Sequence, residues 1–338
     1  MKQWLIARLA WLFPTLFGIT LVTFLVIDCA PIDRAELEAA QAHATQPFAD
    51  AASRDAAVLQ LRVRYGMVDP VTFEPAPVWQ RYLGWLRNAA TLRFAGPGGD
   101  HDALMRRLFA ALPVSMLLGS IALVIAVFGG VWLGAWLGQR AGTANERLTS
   151  LLLLLGIGLP EFLLASLLLL TFSVGLHLLP AAGLRSPDAL QMPLPWQVVD
   201  FLQHLLLPVL VMAIGPTAMV ARFVRDSVAR TAQAPFVTNL RALGCDERLV
   251  RRRLLRHGCA PVATLAGSLL PMVVGGSIVV ENLFALDGLG HLAYQAVMQR
   301  DQPLLMAIVV IGSVVTLASL LLSDVLHRVI DVRVRLQR

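Results

Sequence analysis

The chain has 338 residues, of which 57% are hydrophobic and only 15% are charged, and its formal net charge is +6. These values exclude an ordinary soluble protein, because no charged residue occurs between Arg107 and Arg140 and a helix needs only about 20 apolar residues to cross a bilayer. Hydrocarbon cannot satisfy backbone polar groups, so several apolar segments predict a helical membrane protein. The basic excess lies in a few loops, as membrane orientation requires, and no nucleic-acid partner is expected.

Six membrane-spanning helices are predicted in chain order. The first covers residues 9–27 and follows Lys2 and Arg8. Its apolar core is longer than that of a cleaved signal peptide and lacks a convincing small-residue cleavage site, so we expect a retained anchor. The remaining predicted spans are residues 112–137, 148–179, 204–221, 261–280 and 304–323.

The third predicted span is interrupted by Leu-Pro-Glu-Phe at 159–162 and is either one broken helix or two short ones. The charges of the loops favour one broken helix. With a cytoplasmic N-terminus, a single span places the loop 222–260, which has nine arginines against three acids, in the cytoplasm. Two separate spans would instead place the loop 222–260 outside the cell. The loops 177–203 and 282–303 each carry one arginine and two aspartates and fall outside. We therefore predict an all-α polytopic fold with six spans and both termini cytoplasmic.

Three parts follow from this count. They are an N-terminal span at 1–27, an extracytoplasmic segment at 28–107, and a core at 108–338 that holds spans two to six and the cytoplasmic loop 222–260. The extracytoplasmic segment has nine arginines and ten acids, which does not oppose this placement because long loops translocate regardless of charge. Within it, alanine-rich stretches predict short helices at 35–44 and 50–65.

The sequence lacks the residues for several kinds of chemistry. Lys2 is the sole lysine, whereas a nucleotide-binding P-loop needs a lysine after its glycine-rich turn. The three cysteines and the scattered histidines have no metal-ligand spacing, so neither a metal nor another cofactor is expected. One ionisable residue, Glu161, lies about 20 Å along the third helix and follows Pro160, which is expected to bend that helix. Glu161 either lines a pathway or bonds backbone groups freed at the break.

The segment FVTNLRALGCDERLVRRRLLRHGCAP at 236–261 holds six arginines between two apolar segments. A short helix near 236–243 is expected to end at Gly244, since glycine tolerates a left-handed conformation. Asp246 is then expected to cap a second helix at about 247–257. The segment resembles the coupling loop of ABC-importer permeases, and most closely that of the dipeptide, oligopeptide and nickel permease family. The positions that match the family pattern are Phe236, Val237, Arg241, Ala242 and Gly244.

Other segments resemble the same family in the same order, among them YGMVDP, GLPEFLLASLLLLTF, VVENLFALDGLGHL and RDQP. The resemblance implies a type I importer permease in the inner membrane for peptides or a similar small solute. It also implies a second homologous permease, two cytoplasmic ATPase subunits that use ATP, an extracytoplasmic binding protein and membrane lipid as partners. Three alternatives stay open. They are a permease for nickel or another solute, a proton-coupled transporter, which would need more intramembrane carboxylates, and a membrane-embedded enzyme or scaffold, which would need no ATPase partner.

The resemblance further assigns roles to particular residues. Phe236 through Asp246 would dock on an ATPase subunit, whereas the basic residues of the second helix would hold the loop at lipid headgroups. Pro160 and Glu161 would belong to the translocation pathway. A second set would shape an external gate, or else form an exposed loop with glycines at turns. The residues of that set are Glu281, Phe284, Gly288 and Gly290.

Overall fold

The computed structural model describes residues 2–29, 34–45, 50–64, 67–69, 72–91, 93–94, 100–259, 262–299 and 301–330. Within these ranges the secondary structure is helical, and the extended backbone pairs at one isolated bridge, between Val68 and Pro75. Four of the described helices are long and apolar enough to cross a membrane, and one bent helix pair makes a fifth candidate. The described part of the chain is therefore an all-α polytopic membrane protein.

The helices are numbered in chain order. They are α1 (Lys2–Asp28), α2 (Arg34–Thr45), α3 (Ala51–Arg64), α4 (Val78–Ala90), α5 (His101–Gly138), α6 (Ala144–Gly158), α7 (Glu161–Leu168), α8 (Leu194–Ala232), α9 (Pro235–Ala242), α10 (Glu247–Gly258), α11 (Val262–Ser268), α12 (Met272–Gly275), α13 (Ile278–Leu283), α14 (Leu289–Met298) and α15 (Gln302–Ile330). A π-helical stretch, Leu169–Gly175, continues α7, and a 3-10 turn is formed by Ala189–Gln191.

The chain divides into two compact units. The first contains the residues up to Ala110 together with Leu292–Val314, and the second contains Ala111–His291 and the chain from Val315. In the first unit, α2 and α3 bury Ala35, Ala39 and Val58 against each other. The predicted helices at 35–44 and 50–65 are thus confirmed as α2 and α3.

The second unit is built around α8, which packs against α6, α7, α10 and α13. Its apolar core combines buried residues of α5, α7, α8 and α13 because each of these helices is apolar on the side that faces α8. The buried members include Leu118, Ala165, Leu207, Met212 and Phe284. Helix α8 is continuous from Leu194, so the span predicted at 204–221 is confirmed but extends well past both predicted ends.

Helix α5 approaches α8 through three glycines spaced one turn apart. A Cβ atom built on Gly130 would lie 2.6 Å from Val220 Cβ, and one on Gly138 would lie 2.7 Å from Val228 Cβ. At Gly134 the added atom would overlap the carbonyl oxygen of Ala221. Small residues at every fourth position let two membrane helices approach closely, which increases their van der Waals contact.

We expect Gly134→Ala to lower the thermal unfolding midpoint of the detergent-solubilised protein, because overpacking costs about 1–3 kcal/mol. Gly129→Ala is the matched control, since a Cβ atom there would lie at an ordinary 3.7 Å from Thr217 Cγ2. It should leave the midpoint unchanged or raise it, because alanine favours helix more than glycine does. Equal midpoints for the two variants would contradict close packing of α5 on α8.

The segment predicted as the fifth span, 261–280, is not one continuous helix, and this part of the prediction was wrong. In the described residues it consists of the short helices α11, α12 and α13. Pro271 precedes α12 and lacks the amide hydrogen that a continuous helix needs. Gly276 follows with φ +56° and ψ −178°, a backbone conformation that glycine adopts and other residues avoid.

The interruption predicted in the third span is present and sharp. Helices α6 and α7 meet at Leu159 and Pro160 with a bend of 107°. Both residues have extended backbone conformations, with ψ of 128° and 137°, and the residue before a proline avoids the helical region. The sequence therefore identified the bend correctly, and Pro160 lies at the N-terminal boundary of α7.

Candidate functional site

Helices α9 and α10 form a compact pair that follows α8. Gly244 lies between them with φ +74°, so the predicted left-handed turn is confirmed. Arg241 of α9 reaches across the turn to Glu247 of α10, with Nη2 and Oε1 2.8 Å apart. The hydrogen bond and charge of Arg241 hold the pKa of Glu247 below its ordinary value, so this pair is ionised at neutral pH.

The inner face of the α9–α10 pair is apolar and packs on the C-terminal part of α8. Val237, Val250 and Leu254 are buried in one cluster with Val224 and Val228 of α8. The Phe236 ring meets the His257 ring edge to face, with the ring centroids 5.2 Å apart. A shift of the α9–α10 pair must therefore displace the end of α8 with it.

The outer face of the pair is solvent-exposed and includes Arg241, Ala242, Gly244 and Asp246. Asp246 occupies the N-cap position of α10, as predicted, but its side chain makes no capping hydrogen bond. The arginines of α10 are also exposed, namely Arg248, Arg251, Arg252, Arg253 and Arg256.

Leu243, which lies within the predicted docking segment but was not named individually, is the C-cap residue of α9 and is 79% exposed. A leucine at the tip of a polar turn has no packing role within the described residues. It is the apolar side chain at the tip of the turn that carries Gly244.

Glu281 of α13 is fully buried and lies in what we call the Glu281 cradle, formed with Ser115, Gly276, Gly288 and Gly290. Ser115 Oγ donates to Glu281 Oε1 at 2.7 Å, and the backbone N–H of Gly290 donates to Oε2 at 2.6 Å. Ser115 Oγ also accepts the N–H of Leu289 at 2.8 Å. The cradle thereby joins α5, α13 and the first residues of α14.

The three glycines of the cradle leave room for the carboxylate. A Cβ atom on Gly288 would lie 2.6 Å from Glu281 Cδ, and one on Gly290 would lie 2.9 Å from Oε2. At Gly276 it would overlap Oε1. The predicted gate residues Glu281, Gly288 and Gly290 are thus brought together. Together with Phe284 they are buried, so the alternative of an exposed glycine loop is wrong.

Phe284 packs in the apolar core of the second unit. Its carbonyl oxygen accepts a hydrogen bond from the N–H of Gly183 at 2.8 Å, which ties the loop after the π-helical stretch to α13. Gly183 has φ +82°. Ser115 and Gly183 were both missed from the sequence, although a serine within an apolar span is a signal for helix-to-helix hydrogen bonding.

Glu161 is exposed at the start of α7, and its Oε2 accepts a hydrogen bond from Ser277 Oγ at 2.9 Å. Ser277 is also the N-cap of α13, where its Oγ accepts the N–H of Val280 at 3.2 Å. Of the two alternatives for Glu161, the described residues do not show a bond to freed backbone groups, because the partner of its carboxylate is the Ser277 side chain. One serine therefore connects the α6–α7 bend to the helix that carries Glu281.

A further buried acid, Glu146, was also missed. It is the third residue of α6, and Thr143 Oγ1 accepts its N–H, an arrangement that the Thr-x-x-Glu spacing indicates. Its carboxylate is held by Ser150 and by Arg225 of α8, whose Nη2 lies 2.9 Å from Oε1. The pair borders a cavity of about 340 Å³ and links α6 to α8 above the α9–α10 pair.

In the described residues no group of three or more His, Cys, Asp or Glu side chains is arranged to hold a metal ion. The class of protein is therefore a polytopic membrane protein with a peripheral two-helix element. This class is defined by the long apolar helices, the bent pair α6–α7 and the α9–α10 pair packed on α8. Comparison with known proteins identifies its family.

The family of binding-protein-dependent transport system inner membrane components matches residues 130–336. The chain is 30% identical to a dipeptide transport system permease protein of Bacillus subtilis over 341 residues, covering 100% of this chain and 99% of the relative. It is 34% identical to a putative peptide permease protein of Brucella ovis over 289 residues, which is 85% of this chain and 86% of that protein. An oligopeptide transport system permease protein of Bacillus subtilis is 27% identical over 342 residues, 99% of each chain.

The chain therefore belongs to the family of inner membrane components of binding-protein-dependent transport systems, and it is a multi-pass protein of the inner membrane. The resemblance that the sequence motifs indicated is confirmed. The family is a family of transport components, and its description names a binding protein as the partner on which transport depends.

Proposed function

We propose that the chain is one permease subunit of an ATP-driven ABC importer and forms part of the translocation pathway for peptides. The observation that carries this proposal is the exposed α9–α10 pair, which packs on α8. The sequence has no lysine that could complete a P-loop, so the chain needs a partner that hydrolyses ATP. The curated relatives carry peptide, dipeptide or oligopeptide transport in their names. Peptides are thus favoured over nickel as the transported solute.

The proposed topology has six crossings with both termini in the cytoplasm. The bent pair α6–α7 counts as one crossing, and the segment α11–α14 counts as another although it is not one helix. Charge supports this count. The α9–α10 pair and the C-terminal residues after Asp324 are both arginine-rich, and arginine near span ends favours the cytoplasm. An even number of crossings must then separate them, namely α15 and the segment before it.

The proposed assembly contains a second homologous permease, two cytoplasmic ATPase subunits and an extracytoplasmic solute-binding protein. ATP would be bound and hydrolysed by the ATPase subunits and not by this chain. The α9–α10 pair would dock on one of them, with Phe236 and Val237 shaping the pair from inside and Arg241, Ala242, Gly244 and Asp246 on its outer face. Closure of the ATPase pair would then move α8.

The proposed pathway residues are Pro160 and Glu161 at the α6–α7 bend, and the proposed gate is the Glu281 cradle with Phe284. The bond between Glu161 and Ser277 supports a mechanical link between the two, because Ser277 caps the helix that holds Glu281. A change of the bend angle would pull on the N-terminus of α13. The cradle would transmit that pull to α5 and α14 through Ser115 and Gly290.

The experiment that tests the proposal is reconstitution of the chain with its partner subunits in proteoliposomes. We expect uptake of a labelled dipeptide that requires ATP and the binding protein and that persists when an uncoupler removes the proton gradient. Unlabelled tripeptides should compete, whereas nickel ions should not. Uptake without ATP, or competition by nickel alone, would contradict the proposal.

Glu161→Gln separates the ATP-driven importer from a proton-coupled transporter. Glutamine keeps an acceptor for Ser277 but cannot carry a proton in and out. We therefore expect ATP-dependent uptake to fall at most severalfold and to remain insensitive to an uncoupler. Ser277→Ala is the complementary control, since it removes the hydrogen bond that Glu161→Gln keeps and leaves the carboxylate in place. Complete loss of uptake in Glu161→Gln alone, with uncoupler-sensitive uptake in the unmodified protein, would favour proton coupling.

A further inference from the structure

Helix α4 separates polar and apolar side chains onto opposite faces. At about 100° per residue, the polar positions fall on one arc and the apolar positions on the remaining arc. The polar arc holds Gln80, Arg81, Arg87 and Asn88, and the apolar arc holds Val78, Trp79, Tyr82, Leu83, Trp85 and Leu86. A helix of this pattern that is rich in tryptophan and arginine is typical of a boundary between water and an apolar phase.

Contacts within the first unit fix α4 against α1. Arg81 forms a two-pronged salt bridge with the carboxylate of Asp28, in which Nη2 and Oδ2 are 2.9 Å apart. The hydroxyl groups of Tyr82 and Thr20 are hydrogen bonded at 3.0 Å. The Tyr82 ring also meets the Phe24 ring edge to face, with the ring centroids 5.3 Å apart. These contacts determine which face of α4 is turned away from α1.

The face turned away from α1 is partly apolar. Trp79 is 62% exposed and Leu83, one turn later, is 52% exposed. The span window of α1 is apolar, with a mean hydropathy of 2.1, and only 6% of it is buried. Val26 of α1, near the level of the Arg81 salt bridge, is likewise exposed. Both α1 and α4 therefore expose apolar side chains near the Asp28 end of α1.

The contact with α1 also sets the depth of α4. Thr20 precedes Asp28 by eight residues, which is about 12 Å along a helix axis. Half of the hydrocarbon core of a bilayer is about 15 Å thick. Because Arg81 reaches Asp28 and Tyr82 reaches Thr20, α4 lies between these two levels, close to the boundary between headgroups and acyl chains.

We propose that α4 is an interfacial membrane anchor in the leaflet at the Asp28 end of α1. Its exposed apolar face is covered by phospholipid, with Trp79 and Leu83 among the acyl chains. Arg87, exposed on the polar arc, lies at the headgroup phosphates, which its charge complements. No acidic residue occurs in α4 to oppose that contact. The proposal needs only that α1 crosses the bilayer, so it is independent of the transported solute and of the total number of crossings.

Spin labelling of the full chain, assembled with its partner subunits in liposomes of phosphatidylethanolamine and phosphatidylglycerol, tests the proposal. Nitroxide labels are placed at Leu83→Cys and at Arg87→Cys after the native cysteines are changed to serine. Val26→Cys on α1 is the reference for lipid exposure. We expect the label at 83 to collide with oxygen as often as the label at 26, and severalfold less with a water-soluble nickel complex than the label at 87.

Two results would overturn the proposal. Equal collision with the nickel complex at 83 and 87 would place α4 in water, as part of a soluble external cap. Shielding of position 83 from both oxygen and the nickel complex would mean that a protein covers this face. A second measurement uses lipids brominated in their acyl chains. We expect them to quench a component of the tryptophan fluorescence that Trp79→Phe removes, and unchanged quenching in that variant would also contradict the anchor.

Discussion

Replacing Leu243 with glutamate is expected to abolish both the co-purification of the ATPase subunits and ATP-dependent uptake, without lowering the stability of the permease. The side chain is 79% exposed and lies beside the turn at Gly244, so the substitution removes no contact within the chain. On docking, a buried glutamate without a partner costs several kcal/mol. A loss of about 2 kcal/mol at an interface hot spot already lowers affinity about 30-fold.

Leu190→Glu is the matched control for this experiment. Leu190 is 77% exposed in the 3-10 turn Ala189–Gln191, which the proposed topology places on the other side of the membrane. The two variants add the same charge at equal exposure, so they should unfold at the same temperature. We expect Leu190→Glu to retain the ATPase subunits. Retention of the ATPase subunits by Leu243→Glu as well would show that this tip does not dock.

The second large effect is expected at Glu281. Glu281→Ala removes the acceptor for the buried Ser115 hydroxyl and Gly290 N–H, and for the partly buried His291 N–H, and leaves these donors without their partner. Each unsatisfied buried group costs about 1–3 kcal/mol. We therefore expect a strongly lowered unfolding midpoint and little assembled complex. Glu36→Ala removes an exposed carboxylate that pairs with Arg62 and should change the midpoint little.

A double-mutant cycle with Gly288 checks that the cradle geometry is the cause. Gly288→Ala alone should destabilise the protein because its Cβ atom would lie 2.6 Å from Glu281 Cδ. In the Glu281→Ala background the carboxylate is gone and Ser115 Oγ, 2.7 Å from the added atom, remains, so the same change should cost less. Additive effects would contradict the cradle. Glu281→Gln, which retains the shape, should assemble but lower uptake per assembled complex if the cradle is the gate, and a purely structural role would leave that rate unchanged.

The sequence predicted those parts of the structure that depend on local rules. The helix pair around Gly244 followed from a glycine at a helix end, and the α6–α7 bend followed from Pro160. The Glu281 cradle was beyond such reasoning, because Ser115 lies 166 residues before Glu281 in the chain. The prediction of a continuous fifth span was wrong, because apolar composition does not reveal whether a proline and a glycine with positive φ divide a helix. The role of α4 was missed, although its 3.6-residue periodicity is visible in WQRYLGWLRN.

Helix α8 has 39 residues, a length of about 58 Å, which is nearly twice the thickness of a bilayer core. In the proposed topology it would act as a lever whose cytoplasmic arm carries the α9–α10 pair. Its interior contains Pro208 and Pro216, each of which removes one backbone hydrogen bond. A tilt of about 10° about the middle of a helix of this length would move each end by about 5 Å. The stiffness of α8 between the two prolines determines how much of the displacement at one end of the helix is transmitted to the other end.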